Sequence, residues 1–147
     1  MLAVELEHFL QKHIPLSKAM QVSVVEVQNE IVVLRAPLAP NVNHRQTVFG
    51  GSASALAILS AWSLLQVRLS SAGIVSRLVI QRNTMDYLSP IQGEFVARAT
   101  LLRPETWQKF VETLLRKDKA RISVSSSIEH ANQVVGRLTG EFVALRV

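Results

Sequence analysis

The stretch GSASALAILSAWSLLQVRL, residues 51–69, limits this chain more than any other part of it. Arg68 is its one charged residue, and small or apolar side chains fall on nearly every side of the helix that the pattern predicts. At ~1.5 Å per residue that helix is roughly 28 Å long. Ser54, Ser60, Ser63 and Gln66 interrupt it, so it falls short of the ~20 apolar residues that a bilayer span requires. A helix apolar all round must instead be wrapped by protein. With 147 residues, 48% of them hydrophobic, the chain can build one such core, and residues 1–147 are expected to form a single domain.

Alternation predicts what does the wrapping. QVSVVEVQ (21–28) and EIVVLRAP (30–37) are rich in β-branched residues on either side of a Gln28-Asn29 turn. After the helix come IVSRLVIQRNTMDYL (74–88) and GEFVARATLL (93–102), joined through SPIQG. ARISVSSSIE (120–129) and VVGRLTGEFVALRV (134–147) flank Ala131-Asn132-Gln133 and alternate like antiparallel strands with one buried face. Leu2, Leu6, Phe9, Leu10 and His13 keep helical spacing up to Pro15, where that helix is predicted to stop. Pro104 opens another, with Trp107, Phe110, Val111, Leu114 and Leu115 on one stripe. The order predicts an α+β fold, an antiparallel sheet of about six strands, connected mostly by hairpins, wrapped around the long helix. One sheet face cannot cover that helix, so a lid or a second subunit must bury the rest, and a homodimer or tetramer is expected.

Hydrogen-bonding residues gather where the long helix begins, in NVNHRQTVFGGS. A helix start exposes backbone N–H groups without internal acceptors and carries the positive end of the helix dipole. Gly50 and Gly51 would let a ligand reach those amides with no Cβ in the way. A thioester or ester carbonyl placed there would have its developing negative oxygen stabilised. Ser52 would cap the helix or add a donor, and Asn43 and His44 would position a water or an acyl group. Gly-Gly-Ser is also an ordinary loop-to-helix junction, Asn43 a common turn former, and His44 a common exposed loop residue. Between Glu30 and Asp86 there is no Asp or Glu, so no carboxylate lies near in sequence to act as a base.

Charge and composition remove other classes. The net charge is +5 and the pI about 10.2. The sixteen Lys and Arg are scattered apart from Arg116, Lys117, Lys119 and Arg121, and no aromatics interleave with these. That argues against nucleic acid and leaves an ordinary solvated basic surface, or attraction to an anionic small molecule or an acidic protein. Without cysteine there is no disulfide, thiolate metal site or cysteine nucleophile. His8, His13, His44 and His130 have no metal-ligand spacing, and no metal or other cofactor is implied. The acid-bearing start MLAVELEHFLQKHIPLSKAM is no secretory signal, so a soluble, cytoplasmic protein without membrane association is expected.

The Asn43…Phe49-Gly50-Gly51-Ser52 pattern before the apolar helix, followed by MDYLSPIQGEFVARATLL, resembles the hotdog-fold thioesterase superfamily. Its members typically show an Asn six residues before His-Gly-Gly, and a Y-L-x-P-x-x-G turn, matched here by Tyr87-Leu88-Ser89-Pro90 and Gly93. FGGSASALAILSAWSLL with PETWQKFVETLLRKDKARISV is most similar to the thioesterase family of the YiiD C-terminal type, also found fused to acetyltransferases. The resemblance covers nearly the whole chain. It implies that the Gly50 amide is the oxyanion donor, that Asn43 contacts the reacting region, and that Ser76 lies near a water-orienting position. Two matches fail. Phe49 stands where the superfamily has His, and the carboxylate many relatives carry in the helix would fall at Ala57 or Ile58.

The function expected is hydrolysis of acyl thioesters of coenzyme A or acyl carrier protein by direct water attack. Gly50 and Gly51 would hold the oxyanion, with Asn43, His44 and Ser76 arranging water and acyl group and His44 the first choice of proton acceptor. Phe49, Ser52 and Asp86 would contact substrate, although Asp86 also reads as a strand-end acid paired to an Arg. The alternative is a non-catalytic acyl-thioester-binding module partnering an acyltransferase, favoured by the missing helix acid. A dehydratase is disfavoured because the His and acid it would use have no counterpart. Trp62 and the Trp107/Phe110 stripe read as core, or the second helix caps an acyl tunnel.

Overall fold

The computed structural model describes residues 1–147. Its elements are α1 (Ala3–His13), α2 (Pro15–Ala19), β1 (Ser23–Val27), β2 (Val32–Ala36), α3 (Gly50–Ser71), β3 (Ser76–Tyr87), β4 (Phe95–Leu101), α4 (Trp107–Lys117), β5 (Lys119–His130) and β6 (Gln133–Arg146). Pro15 ends α1 as expected but also opens α2, because the first position of a helix needs no N–H. A 3₁₀ turn, Pro104–Thr106, precedes α4.

The six strands form one antiparallel sheet in the order β1-β2-β4-β5-β6-β3, confirming the α+β architecture. Hairpins join β1 to β2 and β5 to β6. In the latter, Ala131 and Asn132 both take positive φ, 50° and 63°, the pattern of a two-residue turn matched to strand twist. The segment between β3 and β4 is not a hairpin, which corrects the local reading of SPIQG. β3 pairs with β6 and β4 with β2 and β5, so residues 88–94 cross the end of the sheet. The cause is non-local: β3 matches β6 along eleven residue pairs, far more pairing than its sequence neighbour β4 could offer.

α3 is 22 residues, longer than read, and by length and composition alone it could cross a membrane. Here 61% of its apolar window is buried inside the protein, and it is the central rod of the fold. Leu56, Leu64, Leu65 and Leu69 are fully buried, as are Phe95, Ile128, Leu138 and Phe142 on the strands, in one continuous core. Buried serines sit within it, and two of them meet. Ser60 Oγ donates to Ala57 O (2.8 Å) and lies 2.8 Å from Ser126 Oγ, which supplies the proton between them. Thus a hydroxyl pair, not an ion pair, links rod to sheet.

α4 buries Phe110 and Leu114 against the same core, and Arg68 near the end of α3 lies 4.3 Å over the Trp107 ring. Burial lowers the Arg68 pKa, with the Glu30 charge opposing. One side of α3 stays uncovered. Ala55, Ile58, Leu59 and Trp62, with Ile14, Leu16, Leu78, Val79, Ile80 and Phe142, line a wholly apolar groove of about 430 Å³ beside β3. Trp62 forms part of that wall and donates Nε1–H to Leu78 O (2.9 Å).

Candidate active site

The loop entering α3 is held by asparagines in two ways. Asn41 is buried and donates through Nδ2 to Met20 O (3.0 Å) and Pro37 O (2.8 Å), tying the loop to the body. Its carbonyl accepts the Phe49 N–H at 2.8 Å. Asn43 turns the chain locally. Its Oδ1 accepts from Arg45 N (2.8 Å) and Thr47 N (3.2 Å), and its Nδ2 donates to Thr47 Oγ1 (2.9 Å). Gln46 takes φ 63° to complete the bend, and Val42 and Val48 bridge its base.

Phe49 is the N-cap of α3, and it offers no side-chain hydrogen bond. Its carbonyl accepts the N–H groups of Ser52 (2.9 Å) and Ala53 (3.1 Å). The N–H groups of Gly50 and Gly51 have no acceptor in the chain. Two unpaired donors therefore stand at the positive end of a 22-residue helix.

Beside them opens a cavity of about 360 Å³. The segment 88–94, crossing the sheet end, roofs it. Val48 N donates to Ile91 O (2.8 Å), Leu88 N to Val135 O (2.9 Å), and the His130 ring Nδ1 meets Glu94 O at 2.8 Å. The wall comprises Thr47, Val48, Gly50, Ala53, Met85, Tyr87, Leu88, Ser89, Pro90, Ile91, Ile128, Val135 and Gly136. It is mostly apolar, with Thr47, Tyr87 and Ser89 as hydroxyl-bearing residues and Gly50 among them, the lining of a site for an apolar group with a polar head.

The structure sorts the predicted residues. Gly50 is in the wall, and Gly51 follows it at the exposed edge. The Phe49 ring covers Gly51, where a Cβ would lie 2.3 Å from a ring carbon; only glycine fits there while Phe49 keeps its place. Ser52, third in the helix, is half-buried and outside the wall. Asn43 spends its side chain on the loop and supports Thr47, so within this chain it acts through the wall, not from it. His44 is at the exposed loop tip and not in the wall.

Asp86 is not in the cavity wall of its own chain. It pairs in register with Arg137 on the outer sheet face, while its neighbour Tyr87 points inward, because successive side chains alternate. Ser76 begins β3 and Tyr87 ends it, eleven residues or ~36 Å of strand apart, so Ser76 does not reach the cavity of its own chain. The sequence reading also passed over Tyr87, Thr47 and Met85 as wall residues. A lone tyrosine at a strand end beside the Leu-Ser-Pro turn was the available signal.

The model of the family described as putative thioesterase (yiiD_Cterm) matches residues 3–146. The chain belongs to that family. Its thioesterases are hydrolases, and the hydrolase reading of the sequence is upheld. A putative thioesterase from Shewanella oneidensis superposes with TM-score 0.88 at 22% identity, over 97% of this chain and 96% of that one. A thioesterase from Haemophilus influenzae gives 0.78 at 12%, over 99% and 92%. These two share the hotdog fold with this chain. A protein of unknown function from Chlorobaculum tepidum TLS gives 0.92 at 26% identity, over 99% and 94%.

Proposed function

We propose that this thioesterase-family chain hydrolyses acyl thioesters of coenzyme A or acyl carrier protein by direct attack of water. The reading is supported by two facts together: Gly50 at the start of α3 has an unpaired N–H, and Gly50 lines the cavity. Water adds to the thioester carbon, and the carbonyl oxygen takes up charge against the Gly50 and Gly51 amides. The apolar wall seats the acyl group. No carboxylate or imidazole lines the cavity, so orientation and oxyanion binding supply most of the acceleration, and His44 at the loop tip takes the water's proton. A cytoplasmic setting belongs to the same proposal.

The site is completed by a second copy of the chain. β3 is an edge strand of 12 residues, largely exposed, and an unpaired edge of that length is a template for another strand. A bulge between Ile80 and Arg82 switches which residues face inward: Leu78 and Ile80 before it, Met85 and Tyr87 after it. Full-overlap antiparallel pairing of two β3 strands respects that switch. It sets Ser76 opposite Tyr87 of the second copy and Arg77 opposite its Asp86, and it covers the apolar groove.

A panel of acyl-CoA substrates of graded chain length, assayed for free thiol, tests the reaction. Turnover that falls at least ~10-fold in His44→Ala supports the full scheme. Tight binding with no thiol release would leave a non-catalytic acyl-thioester-binding module, the reading favoured by the missing carboxylate.

A further inference from the structure

The geometry points to Tyr87 as a catalytic group: its hydroxyl joins the Gly50 N–H in holding the thioester oxygen while that oxygen gains charge. The inference rests on the reaction proposed above, and it adds a side-chain donor that the Gly-Gly motif does not contain.

Tyr87 is the only tyrosine in the chain and the only titratable side chain in the cavity wall. Strand alternation past the bulge turns it inward, and its ring packs against the first residue of α3. A ring carbon lies 3.4 Å from the place a Gly50 Cβ would occupy, and the hydroxyl oxygen lies 3.7 Å from the same place. The phenol and Gly50, whose N–H has no acceptor, are thus in contact in one cavity wall.

The hydroxyl now donates to Gly50 O at 3.2 Å. That is long for an O–H donor, whose usual distance is about 2.7–2.8 Å. Tyr87 is also 58% exposed, so burial does not lock its bond in place. An oxyanion at the Gly50 amide would be a better acceptor, since charge-assisted hydrogen bonds are roughly twice as strong as neutral ones.

In the step, the water oxygen forms its bond to the carbonyl carbon and the C=O π pair moves onto oxygen, held by Gly50 N–H and Tyr87 O–H. Collapse re-forms the C=O bond and breaks C–S. Sulfur leaves with the electron pair and takes up the proton that His44 accepted from water. Tyr87 keeps its own proton throughout.

Tyr87→Phe keeps the ring and removes only the donor. Loss of one oxyanion donor is worth about 10²–10³ in kcat, so kcat should fall by that factor while KM moves less than ~3-fold. Binding gives a second readout that needs no turnover. A ketone isostere, with CH₂ in place of sulfur, keeps the oxygen; a thioether analogue lacks it. Tyr87→Phe should weaken the ketone about 3- to 10-fold and leave the thioether unchanged. Unchanged kcat together with unchanged ketone affinity, or equal weakening of both analogues, would overturn the assignment. A wild-type protein that releases no thiol, yet loses ketone affinity selectively in Tyr87→Phe, would overturn the hydrolase reading and leave the oxygen contact standing.

Discussion

Replacing Asn43 by Ala separates two roles that sequence alone left open. The side chain makes three hydrogen bonds within its loop, to Thr47 Oγ1 and from the N–H groups of Arg45 and Thr47, at 2.8–3.2 Å. Each such bond contributes ~0.5–1.5 kcal/mol net, and partial solvent access puts the total toward the lower part of the summed range, about 2 kcal/mol. For a chain of this size, 1 kcal/mol shifts Tm by ~2–4 °C, so Asn43→Ala should unfold about 4–8 °C below wild type. Turnover should fall with it, because Thr47 and Val48 belong to the cavity wall. Asn43→Asp is the decisive companion. Its carboxylate still accepts from both N–H groups, and Thr47 Oγ1 can turn to donate, so Tm and turnover should both recover. Thermal melts and the free-thiol assay on the same preparations provide the check. An Asn43→Ala protein with unchanged Tm and lost turnover, or a stable but inactive Asn43→Asp, would refute the loop-clamp role and show that Asn43 itself meets substrate.

Two further outcomes follow from the packing. Ser60→Ala should be more destabilising than Ser126→Ala, by about 1 kcal/mol in denaturant melts, because Ser126 loses its only acceptor while Ser60 keeps Ala57 O; equal losses would contradict the donor order described for the pair. A chain carrying both Arg77→Cys and Asp86→Cys should form disulfide-linked dimers under mild oxidation, as the full-overlap β3 register brings these positions within the ~4.4–6.8 Å Cα spacing that a disulfide needs; monomer only, on a non-reducing gel, would exclude that register.

Much of the fold was legible because its signals are local. The charge-poor run of α3 announced a central rod, since no surface could accept it. The two-residue periodicity of ARISVSSSIE and its partner announced a half-buried hairpin, and the Ala131-Asn132 turn closes it. Gly50 and Gly51 were legible as a helix start with unpaired amides for the same reason, as the geometry of a helix end depends on the few residues around it. The family resemblance supplied what such a start is for. None of these inferences needed to know which strands are neighbours in space.

Placement of the remaining site residues depends on that knowledge. Asp86 and Tyr87 are adjacent in sequence and equally exposed to speculation, yet strand alternation and a bulge five residues earlier send one outward and the other into the wall. Ser76 and Asn43 matched the superfamily pattern in spacing, but spacing measures chain length, not direction. The sequence by itself determined that a buried rod with a glycine-rich, donor-bearing mouth would be enclosed by antiparallel strands. Only the tertiary structure decided that β3 lies against β6, that residues 88–94 therefore cross over the mouth, and that a cavity with a tyrosine against Gly50 results. The reason is physical: strand partners are selected by the total pairing and apolar burial of the whole sheet, a sum to which no local segment has access.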